Sequence, residues 1–233
     1  MLMIQNFLLD QARILRSNYF RLKYASTHSK LAKIKAYQKD EFDKLSIFFS
    51  NKYSKLNNFD ISKFITPLWK HFNAKLEKSL LPSPPFSFLN DPTIMVAMFA
   101  TAGGDWMEKE LDFLKKRIDE KKLKEVLEED YVGKPLLLDS SYLTSHTAIH
   151  HFHHLIKFLD VTKTNLENLN TVVEWGGGYG SLTRIVEKFK ASPTAHIVID
   201  TPISSCLQWL YLSTIFGEKE VNLFLSPKDK IEK

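Results

Sequence analysis

The chain has 233 residues, 44% of them hydrophobic and 12% aromatic, with a net charge of +5. That is enough apolar material for a sizeable core, and room for one large domain or two small ones. Cys206 is the only cysteine, which excludes an intrachain disulfide and makes a reducing, cytoplasmic compartment the simplest expectation.

The positive charge is mostly lysine; the arginines are Arg13, Arg16, Arg21, Arg117 and Arg184. Lysines interleave with Asp and Glu along most of the helical stretches, as on a solvated surface. Nucleic-acid binding needs basic residues clustered on one face, and the sequence shows no such cluster. The opening MLMIQNFLLDQARILR lacks the positive leader and small-residue cleavage site of a signal peptide. No segment approaches the apolar length of a membrane span. Neither a nucleic acid nor a membrane is therefore expected as a partner.

Residues 1–80 read as a helical region. Phe7, Leu8, Ala12, Leu15, Tyr19 and Leu22 recur at three- and four-residue steps, and Leu31, Ile34, Tyr37, Phe42, Leu45 and Phe48 do so again. Asp60 is the expected N-cap of a third helix through Trp69, Phe72 and Leu76, with Pro67 in its second turn. Residues 81–165 form a second region. It opens on a linker holding Pro82, Pro84, Pro85 and Pro92, and breaks again at Gly103-Gly104. Asp105 is the expected cap of a long charged helix to about Glu129. Leu136-Leu137-Leu138 is an ambiguous apolar run, and Ser145 is the expected cap of a helix from His146 to Leu159. Residues 166–233 change to a strand–turn–helix–strand pattern. Thr171–Trp175 and His196–Asp200 read as strands, Pro202–Phe216 as a helix with Gly217 just beyond it, and Val221–Leu225 as a third strand. Alternating strands and helices imply a parallel sheet. The expected class is α/β, with a helical N-terminal half followed by a partial Rossmann-like sheet.

The run Thr171–Gly180, TVVEWGGGYG, carries the most chemistry. Gly176, Gly177, Gly178 and Gly180 follow a short β-branched run and precede a helix start, so backbone N–H groups can approach a ligand closely. A tight structural turn is the plain alternative. The spacing is not that of a dinucleotide fingerprint, which needs G-x-G-x-x-G. From Gly176 the third glycine would fall on Ser181 and from Gly178 on Thr183, at a position that serves close helix–strand packing. An oxidoreductase reading is weakened accordingly.

The pattern acid-x-Gly-x-Gly-x-Gly, formed by Glu174, Gly176, Gly178 and Gly180, resembles the first motif of class I S-adenosylmethionine-dependent methyltransferases. EWGGGYGSLTRI, followed by VIDTP and a helix ending in FG, is similar to the bacterial sugar O-methyltransferase family over roughly residues 82–227. The resemblance implies S-adenosylmethionine as cofactor. The glycine turn and Glu174 would hold its methionine part, and Asp200 would take the ribose hydroxyls through charge-assisted hydrogen bonds. It also implies an O-methyltransferase acting on a hydroxyl of a sugar or glycoconjugate. Such a sheet has seven strands, and a βαβ unit takes roughly 30 residues, so residues 171–233 hold only about three. The chain is then expected to be a fragment, a polypeptide whose sheet is completed by a partner chain or a second copy, or an inactive remnant acting as a helical interaction module. Such a sheet would leave an unpaired apolar edge.

His146, His150, His151, His153 and His154 fall within nine residues, with His146, His150 and His154 on one helical face. Histidines at i, i+4 are good metal ligands. However, no Glu or Asp lies between them in the zinc-protease pattern and no Cys pair follows, so no metal is expected. A sugar hydroxyl is a poor nucleophile until its proton leaves, which a near-neutral imidazole can accept. His150 or His146 is the expected general base, with His154 orienting the sugar. The opposing reading is a helix that packs Ile149, Phe152, Leu155, Ile156 and Leu159 inward and leaves its histidines outside.

Overall fold

The computed structural model describes residues 2–58, 61, 63–100, 106–192, 194–226 and 229, with residues 2–10 as backbone only. The N-terminal half is helical: α1 (Leu2–Lys23), α2 (Ala25–Ile34), α3 (Tyr37–Ser46), α4 (Phe49–Leu56) and α5 (Pro67–Leu80). The proposed caps Asp60 and Asp105, and the break at Gly103-Gly104, lie outside the described residues. Helix α5 begins at Pro67, not at residue 60. Pro67 occupies its first turn, where the missing N–H costs nothing, and the Thr66 hydroxyl accepts from Trp69 N at 3.4 Å.

After α6 (Pro92–Ala97), the expected long charged helix is two: α7 (Trp106–Lys115) and α8 (Glu120–Leu127). Asp119 caps the second by accepting from Lys122 N at 3.0 Å. Lys116 and Arg117 favour helix and mask the break, which Asp119 marks as a cap. The break lets both helices lay their apolar stripes on α9 (His146–Thr162), where Leu111, Leu114, Leu123, Val126 and Leu127 pack on Ile149, Phe152 and Ile156. Ser145 caps α9 as expected, accepting from Ala148 N at 3.1 Å. The ambiguous leucine run enters β1 (Leu137–Asp139), which pairs antiparallel with β2 (Thr144–Ser145).

Strand β3 (Thr171–Trp175) leads through the glycine turn to α10 (Ser181–Phe189), then to β4 (Ala195–Ile199) and α11 (Pro202–Phe216). β3 and β4 are parallel, in register from Thr171 opposite Ala195 to Trp175 opposite Ile199. The chain is thus α/β, and among the described residues these two strands pair only with each other. Val221–Leu225 forms no strand. Its alternation is real, but Val221, Leu223 and Leu225 turn onto the helical core and not into a ladder. That core joins regions distant in sequence: Phe42 and Phe49 of α3 and α4 and Leu76 and Leu80 of α5 pack with Cys206, Leu207 and Leu210 of α11. No described helix is long and apolar enough to cross a membrane.

A buried ionic network ties the halves together. Arg184 of α10 is 0% exposed. Its Nη2 lies 3.0 Å from Glu129 Oε2 and its Nη1 3.5 Å from Asp130 Oδ2, and Nη1 donates to Glu128 O at 3.0 Å. Lys188 Nζ reaches Asp130 Oδ2 at 2.8 Å, and Gln38 of α3 donates to Asp130 Oδ1 at 2.9 Å. Burial pushes the Asp130 carboxyl up, but Lys188 and Arg184 outweigh it and hold the group below its ordinary value. Removing one partner of such a network strands a buried charge, so Arg184→Met is expected to cost about 3–5 kcal/mol in urea unfolding. Because the folded pKa of Asp130 is depressed, its contribution is full above ~3.9, the unfolded carboxylate value, and is lost as pH falls through the folded value. Unfolding free energy followed with pH should therefore decline on the acid side, less steeply in Asp130→Asn.

Candidate functional site

Gly176, Gly178 and Gly180 have φ of +77°, +58° and +98°, a backbone region that side chains rarely adopt. Gly177 is needed for a different reason: a Cβ there would sit 2.5 Å from Val198 Cγ1, so β4 passes too close for any side chain. Gly176 N donates to Ile199 O at 2.9 Å, extending the β3–β4 ladder into the turn, and Gly180 N donates to Gly177 O at 2.9 Å. Tyr179 is buried and meets Tyr211 edge to face at 5.1 Å, anchoring the turn to α11. Trp175 is 82% exposed.

Asp200 closes β4 beside this turn. Its Oδ2 accepts from Gly178 N at 3.2 Å and from Gln208 Nε2 at 2.9 Å, and its Oδ1 accepts from Thr201 N at 2.7 Å. Gln208 also donates to Gly178 O at 3.0 Å. Burial raises the Asp200 carboxyl pKa, and the hydrogen bonds from Thr201, Gln208 and Gly178 oppose that shift. A carboxylate has about four acceptor sites. Three are filled, so Asp200 keeps capacity for about one further donor, not for a pair of hydroxyls. Glu174 points toward α10: its Oε2 accepts from the Thr183 hydroxyl at 2.8 Å and lies 3.2 Å from His196 Nε2.

The turn faces a cavity of about 1220 Å³. Glu174, Gly176, Gly177, Gly178 and Asp200 line it on one side. Met98 and Phe99 follow α6, Trp69 comes from α5, and His151, His154 and Phe158 come from α9. Gly180 is not part of this lining; it starts α10 against Leu212. The cavity therefore gathers five of the six proposed cofactor glycines and acids, all but Gly180, together with two histidines.

The histidines divide between two surroundings. Of His146, His150 and His154, only His154 lines the cavity. His146 and His150 turn toward α7, where their rings lie 4.1 and 4.6 Å from the Trp106 ring, and His150 Nδ1 is 2.9 Å from Glu110 Oε1. Cavity-facing positions on α9 run 151, 154, 155, 158 and 159; His154 shares the 146–150 face but sits at its edge, its ring 4.0 Å from that of His150, which turns to the α7 side. His151 lines the cavity beside His154. Burial, and next His150, lower its pKa to about 4, and the same two causes lower that of His154. Both rings therefore favour the neutral form near pH 7.

Gln208, Thr183 and His196 were not legible as site residues. A lone amide in the apolar stretch Leu207–Leu212 was the one available signal for Gln208; nothing in the sequence marked the other two. No protein-family model, curated protein or solved structure matches the chain.

The Gly177–Val198 approach gives a steric test. Gly177→Ala is expected to destabilise the fold by about 1–3 kcal/mol through overpacking. Adding Val198→Ala should recover part of that loss, visible as non-additivity in thermal unfolding.

Proposed function

We propose that the chain carries the cofactor-binding part of an S-adenosylmethionine-dependent O-methyltransferase whose acceptor is a hydroxyl of a sugar or glycoconjugate. The observation that carries this reading is the left-handed glycine turn and Asp200 lining the same cavity as His151 and His154. In a Rossmann-like arrangement the turn at the end of β3 would lie against the methionine part of the cofactor. Glu174 supports the turn from the α10 side. Asp200, with about one acceptor site left, would take one ribose hydroxyl and leave the other to a neighbour.

Methyl transfer is an in-line displacement. The acceptor oxygen bonds to the sulfonium methyl carbon, the carbon–sulfur bond breaks toward sulfur, and the hydroxyl proton must leave. His154 is the group suited to accept it, being neutral and on the cavity wall; His151 is the weaker base because it is buried more deeply. Most of the acceleration would come from holding the two reactants in line. Trp69, Met98, Phe99 and Phe158 would supply the apolar part of the cavity wall.

A second reading rests on the exposure of the sheet face that lines the same cavity. Val173 is 62% exposed, Trp175 82% and Ile199 42%, all on one face of a two-stranded sheet. Buried parallel sheets are normally covered on both faces. In this reading a partner chain or a second copy covers that face, and the present chain acts as a subunit or interaction module. Light scattering on the purified chain separates the two: a monomer that binds cofactor favours the first.

Calorimetric titration with S-adenosylmethionine should show saturable one-to-one binding. Asp200→Asn, which keeps the shape but removes the charge, should weaken it about tenfold, the worth of one charge-assisted hydrogen bond. A folded protein with no detectable heat and no protection by the cofactor in thermal unfolding would rule the reading out.

A further inference from the structure

The histidines that turn away from the cavity form a site of their own. Glu110 of α7 is 8% exposed and His146 7%. One ligand atom each from Glu110, His146 and His150 lie within 4.8 Å of one another. Glu110 Oε1 faces His150 Nδ1 at 2.9 Å and His153 Nδ1 at 3.2 Å, while Glu110 Oε2 and His146 Nε2 are buried with no hydrogen-bond partner among the described residues. Buried polar atoms are almost always paired, and an unpaired carboxylate oxygen beside an unpaired imidazole nitrogen is costly. A single divalent cation would satisfy both.

We propose that Glu110, His146 and His150 bind a zinc ion that pins α7 to α9. The donor set is two imidazoles and one carboxylate, which suits zinc and leaves a fourth position for water. His146 and His150 are one helical turn apart with rings 5.7 Å apart and inclined by 26°, so both can turn a nitrogen to a common point. Trp106 packs against both rings and restricts their rotation. A neighbouring set, Glu110 with His153 and His154, also falls within 4.8 Å. It is the poorer site, because His154 is exposed and lines the cavity.

The test uses the full chain, stripped with a chelator and titrated with zinc chloride, and with cobalt chloride as a spectroscopic probe. One equivalent of zinc should bind and raise the melting temperature. Cobalt should give the intense visible absorption of a four-coordinate site. Glu110→Gln and His150→Gln should each weaken zinc binding at least tenfold and abolish that absorption. His150 is half-buried, so its variant is the safer one for folding, to be verified by circular dichroism. His153→Asn should bind within threefold of the parent. The proposal is overturned if the folded parent binds no stoichiometric zinc, if His150→Gln binds as well as the parent, or if His153→Asn loses binding as fully as His150→Gln. Zinc binding is read without S-adenosylmethionine, so the result is independent of the cofactor reading.

Discussion

The burial of one guanidinium sets the arrangement of this molecule. Arg184 has no contact with water, and its charge is tolerable only because Glu129, Asp130 and the Glu128 carbonyl meet it. Taking such a charge out of water without partners would cost several kcal/mol, a large part of the stability of an ordinary domain. The acidic triplet 128–130 therefore has one acceptable position. That position fixes much else: Arg184 belongs to the helix that starts at the glycine turn, Glu129 also receives the hydroxyl of Ser145 that caps α9, and Asp130 is held from the other side by Gln38 of α3. The turn, the histidine helix and the N-terminal helices are registered against one another through these groups.

From that registration follows the cavity. The glycine turn can only look at α9 because α10 is anchored to the segment that precedes α9. The opposite wall is supplied by α5 and the end of α6, and α11 carries them: its apolar side chains pack with α3, α4 and α5, and Thr201 at its start donates to Asn73 of α5 at 3.2 Å. Asp200 sits at the junction of these two arrangements. Its carboxylate closes the glycine turn through Gly178 and secures α11 through Gln208. A group that could serve a ligand is thus first a structural clasp, and its remaining acceptor capacity is small.

Helix α9 shows how one element serves two environments. Its apolar stripe Ile149, Phe152 and Ile156 is core against α7 and α8. His151 and His154 flank that stripe toward the cavity, and His146 and His150 flank it toward Glu110 and Trp106. Five histidines in nine residues look like one feature in the sequence. In three dimensions they divide between two environments, with His153 also beside Glu110 at 3.2 Å and the His150 and His154 rings meeting at 4.0 Å on the boundary.

The sequence by itself determined the local elements whose signals are local. Helix α11 ends at Gly217, Ser145 caps α9, and the glycines enforce a turn between β3 and α10, because caps, positive φ and apolar period act within a few residues. It also placed Asp200 at the end of β4, next to that turn. Only the tertiary structure decided the rest. The break between α7 and α8 carries a local mark in the Asp119 cap, but that both helices then pack on α9 is a long-range outcome. The alternation at Val221–Leu225 had two possible uses, and the helical core took it in place of a strand ladder. Glu110 is forty residues from His150 in sequence, so no spacing rule could pair them. Long-range packing made that encounter, and it also decided which histidines see the cavity.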